Sequence, residues 1–230
     1  MYHNISQNEN LSFDLTISVQ KFESQLNYLV DNNYRSYFVS ELENLKVIAN
    51  KSVILTFDDV TENQLLFALP LLKKYGLKAT FFIPFSYIGK SDLWNDGSEK
   101  IMTVEQLKSL DSEIIELGHH SYFHRKYTTL TSEEIQDDFD KSFEFIKENN
   151  LKVYPALAYP YGNFPKKGNH KKEFFNLLEK NTMKVAFRIG NRVNKLPFQN
   201  NFEIKRIDIK GQDNMFTFKW KLRLGKLRLF

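Results

Sequence analysis

The sequence predicts an α/β fold in one domain, with its chemistry at the carboxyl ends of buried strands. Three features point there. The run Ser52-Val53-Ile54-Leu55-Thr56-Phe57-Asp58-Asp59 holds a short, β-branched apolar stretch that ends on two carboxylates. It is too short for a helix and reads as a buried strand. Further short apolar runs, Ala79–Pro84, Ile114–Leu117 and the one before Tyr159, are separated by stretches with helical spacing. In parallel sheets, open or barrelled, ligands bind just past the strands' carboxyl ends.

The elements follow in order. Phe22, Leu26, Leu29 and Val30 have helical spacing, with Ser18 as the cap. Tyr37-Phe38-Val39 reads as a short strand, and Ser40 opens a shorter helix through Leu42 and Leu45. Residues 61–76 read as a helix with Leu65, Leu66, Leu69 and Leu72 on one face. Pro70 should kink or split it, and Gly76 should stop it. Ala79–Pro84 is the second strand. Residues 86–101, with Trp94, form a polar loop that either contacts substrate or only connects. Thr103-Val104-Glu105-Gln106 is a capping box.

Thr131 opens a helix running to about Asn149. Ile135, Phe139, Phe143 and Ile146 form its buried face, and Asp137, Asp138 and Asp140 its solvated one. Lys171–Lys180 is a helix, Lys184–Arg188 a strand, and the alternating Glu203–Ile209 a last strand. The tail, residues 216–230, alternates basic and apolar residues. It reads as a short helix or strand packed on the body, or as an interfacial segment held to an anionic lipid surface. Gly225 and the period of two weaken an amphipathic-helix version of the lipid-bound reading. No repeat or linker-like tract divides residues 1–230.

Composition narrows the chemistry. With 230 residues the chain can bury a sizeable core, and a net charge of +4 does not imply nucleic-acid binding. There is no Cys, so a metal site must use His and carboxylates. Aromatic residues make up 15% and suit a core or a sugar-binding rim. No basic region followed by an apolar core is seen near Met1, and no stretch reaches membrane-spanning length. The expectation is a cytoplasmic protein, at the inner membrane face if the tail holds to lipid.

Two neighbouring carboxylates, Asp58 and Asp59, are costly unless a positive group lies beside them. A divalent metal would serve; so would the plainer role of turn residues or helix cap. His120 and His124 stand four apart after another apolar run. Two imidazoles with a strand-end carboxylate make a His-His-Asp triad with open positions for water and substrate. Ala158-Tyr159-Pro160-Tyr161-Gly162 follows a third such run.

Thr56-Phe57-Asp58-Asp59, then His120 to His124, then Pro160-Tyr161-Gly162 resemble the three motifs of the polysaccharide deacetylase family with the NodB homology domain, carbohydrate esterase family 4. The resemblance covers nearly the whole chain and implies a distorted (β/α) barrel. Tyr2-His3 and Phe22-Glu23-Ser24-Gln25-Leu26-Asn27-Tyr28-Leu29 resemble a circularly permuted branch, the poly-N-acetylglucosamine deacetylases. Residues 1–50 would then carry a motif that other members hold near the C-terminus.

The resemblance implies a metal-dependent N-deacetylase acting on an N-acetylated sugar of a surface glycan or its precursor. It implies one divalent ion, zinc first, with cobalt, nickel or iron as alternatives. Asp59, His120 and His124 would be the ligands, Asp58 the general base, His3 the general acid, and Tyr161 an oxyanion donor through its backbone N–H. The third motif of many relatives starts with an Arg, where this chain has Leu157 and Ala158. Arg206 is the candidate replacement. His119 and His170 match no ligand position and read as structural or surface residues. Two other readings remain: hydrolysis of another C–N bond, in an imide or ureide, and an inactive carbohydrate-binding relative.

Overall fold

A computed structural model describes residues 1–43 and 49–225. Its elements are β1 (Asn4–Ser6), β2 (Thr16–Ser18), α1 (Val19–Asp31), β3 (Arg35–Ser36), β4 (Ser52–Val53), β5 (Leu55–Asp58), α2 (Leu69–Tyr75), β6 (Ala79–Ile83), α3 (Val104–Lys108), β7 (Ile115–His119), α4 (Ser132–Glu148), β8 (Ala156–Ala158), α5 (Gly168–Lys180), β9 (Val185–Ile189), β10 (Ile204–Arg206) and α6 (Met215–Leu224).

Six strands form one parallel sheet in the order β10-β9-β8-β7-β6-β5. Sequence neighbours are sheet neighbours, so the carboxyl ends of all six gather at one rim. The sheet curls into the half-barrel of a (β/α) barrel. Residues 1–3 lie against its first strand. The Tyr2 N–H donates to Thr56 O at 2.8 Å, and the Asp58 N–H donates to Tyr2 O at 3.1 Å. On the other side the Ile209 N–H donates to Met1 O at 3.1 Å. This short segment therefore links the region just after β10 to β5. Tyr2 stacks on Phe57 at 5.2 Å and donates its hydroxyl to Gln25 on α1 at 2.8 Å. These contacts fix the neighbouring His3.

The register is tight. Leu55 faces Ala79, Phe57 faces Phe81, and Ile83 faces His119. Gly118 is required on β7: a Cβ there would meet the Phe82 ring at 2.7 Å and Ala156 O at 3.2 Å. Phe22, Leu26 and Leu29 of α1, with Leu69 and Leu72 of α2, pack on the sheet's outer face. A second cluster, with Ile135, Phe139, Phe174 and Leu178, covers the far end.

Several elements differ from expectation. Val30 is half-exposed, because the apolar stripe of α1 turns away before its end. The strand expected at Tyr37–Val39 lies earlier, at β3, where pairing with β4 sets the boundary. Ser40–Glu43 is a single 3₁₀ turn, and Leu45 lies outside the described residues. Before Pro70 the helix widens into a π turn, Gln64–Ala68, with the Leu69 N–H bonded to Gln64 O. Pro70 has no N–H to give, so the regular α-helix restarts around it rather than running through it. Gly76 ends α2 at φ 61°. The tail forms α6 as far as Leu224, and residues 226–230 lie outside the described set. Of the two expected forms, short helix or strand, it takes the helix. Phe218 and Lys221 turn inward, Lys221 onto Asp213 and Asp208 O, while Phe216 and Leu224 face out. Among the described residues no helix is long and apolar enough to cross a membrane.

Candidate metal and catalytic site

The site begins where β5 ends. Successive strand residues point to opposite faces, so adjacent carboxylates would normally diverge. Here Asp59 and Val60 adopt φ 77° and 45°. That reversal lets both carboxylates reach one place: His120 Nε2 lies 3.8 Å from Asp58 Oδ2 and 3.5 Å from Asp59 Oδ1. Left-handed φ in a β-branched residue such as Val60 is strained, by about 1–3 kcal/mol.

Alternation at the end of β7 sorts its two histidines. His119 turns outward and packs edge-on against Phe85 and Phe143. Burial lowers it to about 3, so it stays a neutral core residue. His120 turns inward, and its Nδ1 lies 2.7 Å from Ala158 O on β8. A carbonyl can only accept, so Nδ1 carries the proton and Nε2 presents a lone pair to the site. His124 comes back to the site through a tight turn. Its N–H donates to Ser121 Oγ at 2.8 Å, and Ser121 and His124 have φ 66° and 53°.

The ligand atoms of Asp59, His120 and His124 all lie within 4.8 Å of one another, and all three residues are buried. Asp59 Oδ1 lies 3.4 Å from His124 Nε2 and has no hydrogen-bond partner. A buried, orphaned carboxylate oxygen 3.5 Å from the Nε2 lone pair of His120 calls for a cation. One oxygen and two imidazole nitrogens fit a divalent metal with further positions open. Burial alone would raise the Asp59 carboxyl, but His124 and His120 outweigh it and hold it below its ordinary value.

Asp58 is clamped by Arg206 from the end of β10. Nη1 donates to Oδ1 at 2.5 Å and Nη2 to Oδ2 at 2.7 Å. Burial works to raise this carboxyl. Arg206 and His120 overcome it and hold Asp58 far below the usual carboxylate range. His3 Nε2 lies 3.7 Å from Asp58 Oδ2. Burial lowers His3, against the pull of Asp58 and Asp59.

Tyr161 sits in the turn Pro160–Gly162 at φ 58°, its side chain half-exposed at the rim and its ring 4.9 Å from that of His124. Trp94 brings the 86–101 loop to the same place, 4.2 Å from the His124 ring. Lys126 lies over the Tyr161 ring.

The structure thus brings Asp58, Asp59, His120, His124, His3 and Arg206 to one pocket floor, with Tyr161 above. His170 lies apart, exposed on α5. Two residues that hold this floor were not singled out from the sequence. Buried Gln64, in the π turn, donates its amide to Asp58 O at 2.6 Å and to His3 O at 2.9 Å. It ties the N-terminal segment to β5. Asp138 is not on a solvated face but 1% exposed, accepting from the Tyr122 and Phe123 N–H groups. A signal existed for it: Asp138 falls three after Ile135 and four before Ser142, on the inward stripe of α4.

Known proteins resemble this chain in sequence and fold. YxkH of Bacillus subtilis is 30% identical over 168 residues, 71% of this chain and 56% of its own length. The poly-β-1,6-N-acetyl-D-glucosamine N-deacetylase of Staphylococcus epidermidis is 26% identical over 208 residues, 84% of this chain and 67% of its own. The chain thus spans about half to two thirds of the curated relatives it matches. Two solved structures share its fold. The polysaccharide deacetylase BC0361 of Bacillus cereus has a TM-score of 0.77 at 22% identity, covering 97% of this chain and 67% of that one. IcaB of Ammonifex degensii has a TM-score of 0.76 at 21% identity, covering 96% and 93%. The family profile described as polysaccharide deacetylase matches residues 48–172, more than half of the chain, and the protein belongs to that family.

Proposed function

We propose that this chain is a metal-dependent hydrolase that removes N-acetyl groups from an N-acetylated sugar, in a surface glycan or its precursor. The observation that carries the reading is the convergence of Asp59, His120 and His124 beside the Arg206-clamped Asp58. Family membership and the named activity of the Staphylococcus relative supply the substrate class.

Asp59, His120 and His124 would hold a divalent ion, which would supply an acidified water and polarise the acetamide carbonyl. Asp58 accepts the proton of the attacking water, and Arg206 keeps it ionised and aimed. The Tyr161 backbone N–H donates to the developing oxyanion. His3 delivers a proton to the departing amine, so that water and amide leave as acetate and a free amino sugar. Gln64 sets the distance between His3 and Asp58 through their carbonyls.

The test is acetate release from N-acetylglucosamine oligomers by zinc- or cobalt-loaded protein, beside an Asp58→Asn variant. The expected result is release by the wild type and a loss of about 10²–10⁴-fold in the variant. Full activity in Asp58→Asn sinks the assigned mechanism. Loaded protein that cleaves imides or ureides but no acetamide moves the activity to another C–N bond.

A further inference from the structure

We propose that Asp138 is a positioning residue for the metal, setting the turn that carries His120 and His124. The inference rests on the reading of Asp59, His120 and His124 as metal ligands. Asp138 lies on α4, outside the three motifs, and makes no hydrogen bond or ion pair to the ligand side chains. Its Oδ1 accepts the Tyr122 N–H at 2.9 Å and its Oδ2 the Phe123 N–H at 3.0 Å. These are two of the three residues between the histidines. One buried carboxylate thus takes the two consecutive amides at the apex of the ligand turn.

The turn needs such a partner. Ser121 and His124, which flank those amides, both have left-handed φ. Non-glycine residues stay there only when their surroundings over-determine them. From inside the turn the restraint is Ser121 Oγ, which accepts the His124 N–H. From outside it is Asp138. A position that only packed the helix would favour an apolar side chain, as Ile135 and Phe139 do beside it. Burying a carboxylate is costly unless its oxygens are fully used. Both oxygens are used here, and both on the ligand turn.

The residue type matters as well. Two N–H donors need two acceptors. An Asn at this position offers one oxygen, and its NH₂ would face the other N–H. Partners that orient ligands in this way commonly contribute about 10–100-fold to metal affinity.

The experiment compares wild type, Asp138→Asn and Thr131→Ala as full-length chains. Thr131 caps α4 and forms no bond to the turn, so its loss weakens the helix alone. Three quantities are read: zinc and cobalt affinity by competition with a chelating dye, melting temperature without metal, and amide hydrogen exchange over residues 120–124 without metal. Asp138→Asn should lose about 10–100-fold in affinity and exchange faster over 120–124. Thr131→Ala should melt lower yet keep wild-type affinity and exchange in the turn.

Wild-type affinity in Asp138→Asn overturns the positioning role, even if exchange is faster. Unchanged exchange overturns it too. Equal affinity losses in both variants make Asp138 a residue of general stability and overturn it as well. A wild type that binds neither zinc nor cobalt is a separate failure. It overturns the metal reading itself, and this inference with it.

Discussion

Arg206 and Asp58 stand 148 residues apart and meet through two parallel hydrogen bonds of 2.5 and 2.7 Å, both partners buried. Arg206 also reaches Thr56 Oγ1 at 3.4 Å, so the fork grips both inward-facing side chains at the end of β5. Planar, bidentate geometry of this kind is what a guanidinium provides and an ammonium does not.

Arg206→Lys should therefore impair the proposed deacetylation while keeping the charge. Arg206 holds the Asp58 carboxyl low, and a weaker clamp lets it rise. A base works when ionised, so the rising limb of the pH–rate profile should move to higher pH in the variant. A profile of kcat/KM against pH in both proteins checks this. A limb that stays in place would mean that Asp58 does not govern it.

Metal removal should show in stability as well as activity. A ligand that binds only the folded chain stabilises it by about 2.7 kcal/mol at a hundred times its Kd. For a chain of this size that is a melting-temperature rise of roughly 5–11 °C. Adding zinc to chelated wild type should give such a rise. His120→Ala should give none, since it removes the Nε2 lone pair from the triad.

His119 carries a pH prediction away from the chemistry. Burial lowers it to about 3 in the folded state, against about 6.5 in an unfolded chain. Between those values the unfolded state binds the extra proton. The contribution of His119 is therefore fully present above about pH 6.5 and is lost as pH falls toward 3. The slope is about 1.4 kcal/mol per pH unit. Metal-free His119→Phe keeps an aromatic ring against Phe85 and Phe143 but cannot titrate. From pH 7 to pH 5 it should lose about 2 kcal/mol less stability than wild type in urea unfolding. Parallel losses would show that His119 is not buried neutral.

Trp94 makes one wall of the rim, 4.2 Å from the His124 ring and 4.6 Å from Tyr87. An aromatic face of this kind suits a sugar ring. Trp94→Ala should raise KM for oligosaccharide by about 2–10-fold, from a loss of roughly 0.5–1.5 kcal/mol of packing. The change in kcat should be smaller. Loss of kcat at unchanged KM would instead make Trp94 a support for His124.

Much of the frame was legible because it is written locally. Strand-end carboxylates, a His pair after an apolar run and a glycine stop are all short-range patterns. They name the rim and most elements around it. The capping box at Thr103 and the helix start at Thr131 are of the same kind, and both form. The errors sit where local pattern meets packing. Val30 continues a helical spacing that the fold does not bury. Asp138 sits in an acidic run, yet α4 turns it inward.

The sequence by itself determined the α/β alternation, the three motifs at strand ends and the donor types at hand, oxygen and imidazole without sulfur. Periodicity and turn chemistry act over a few residues and do not wait for the fold. Only the tertiary structure decided that Arg206 meets Asp58, that His3 reaches the floor beside them, and that Gln64 and Asp138 support the site. Those pairings span 148, 55, 6 and 16 residues. Even the shortest depends on a π turn that aims Gln64 back at β5. Which polar groups end up buried together, and so which partners they need, is set by how layers pack, and local spacing does not encode that.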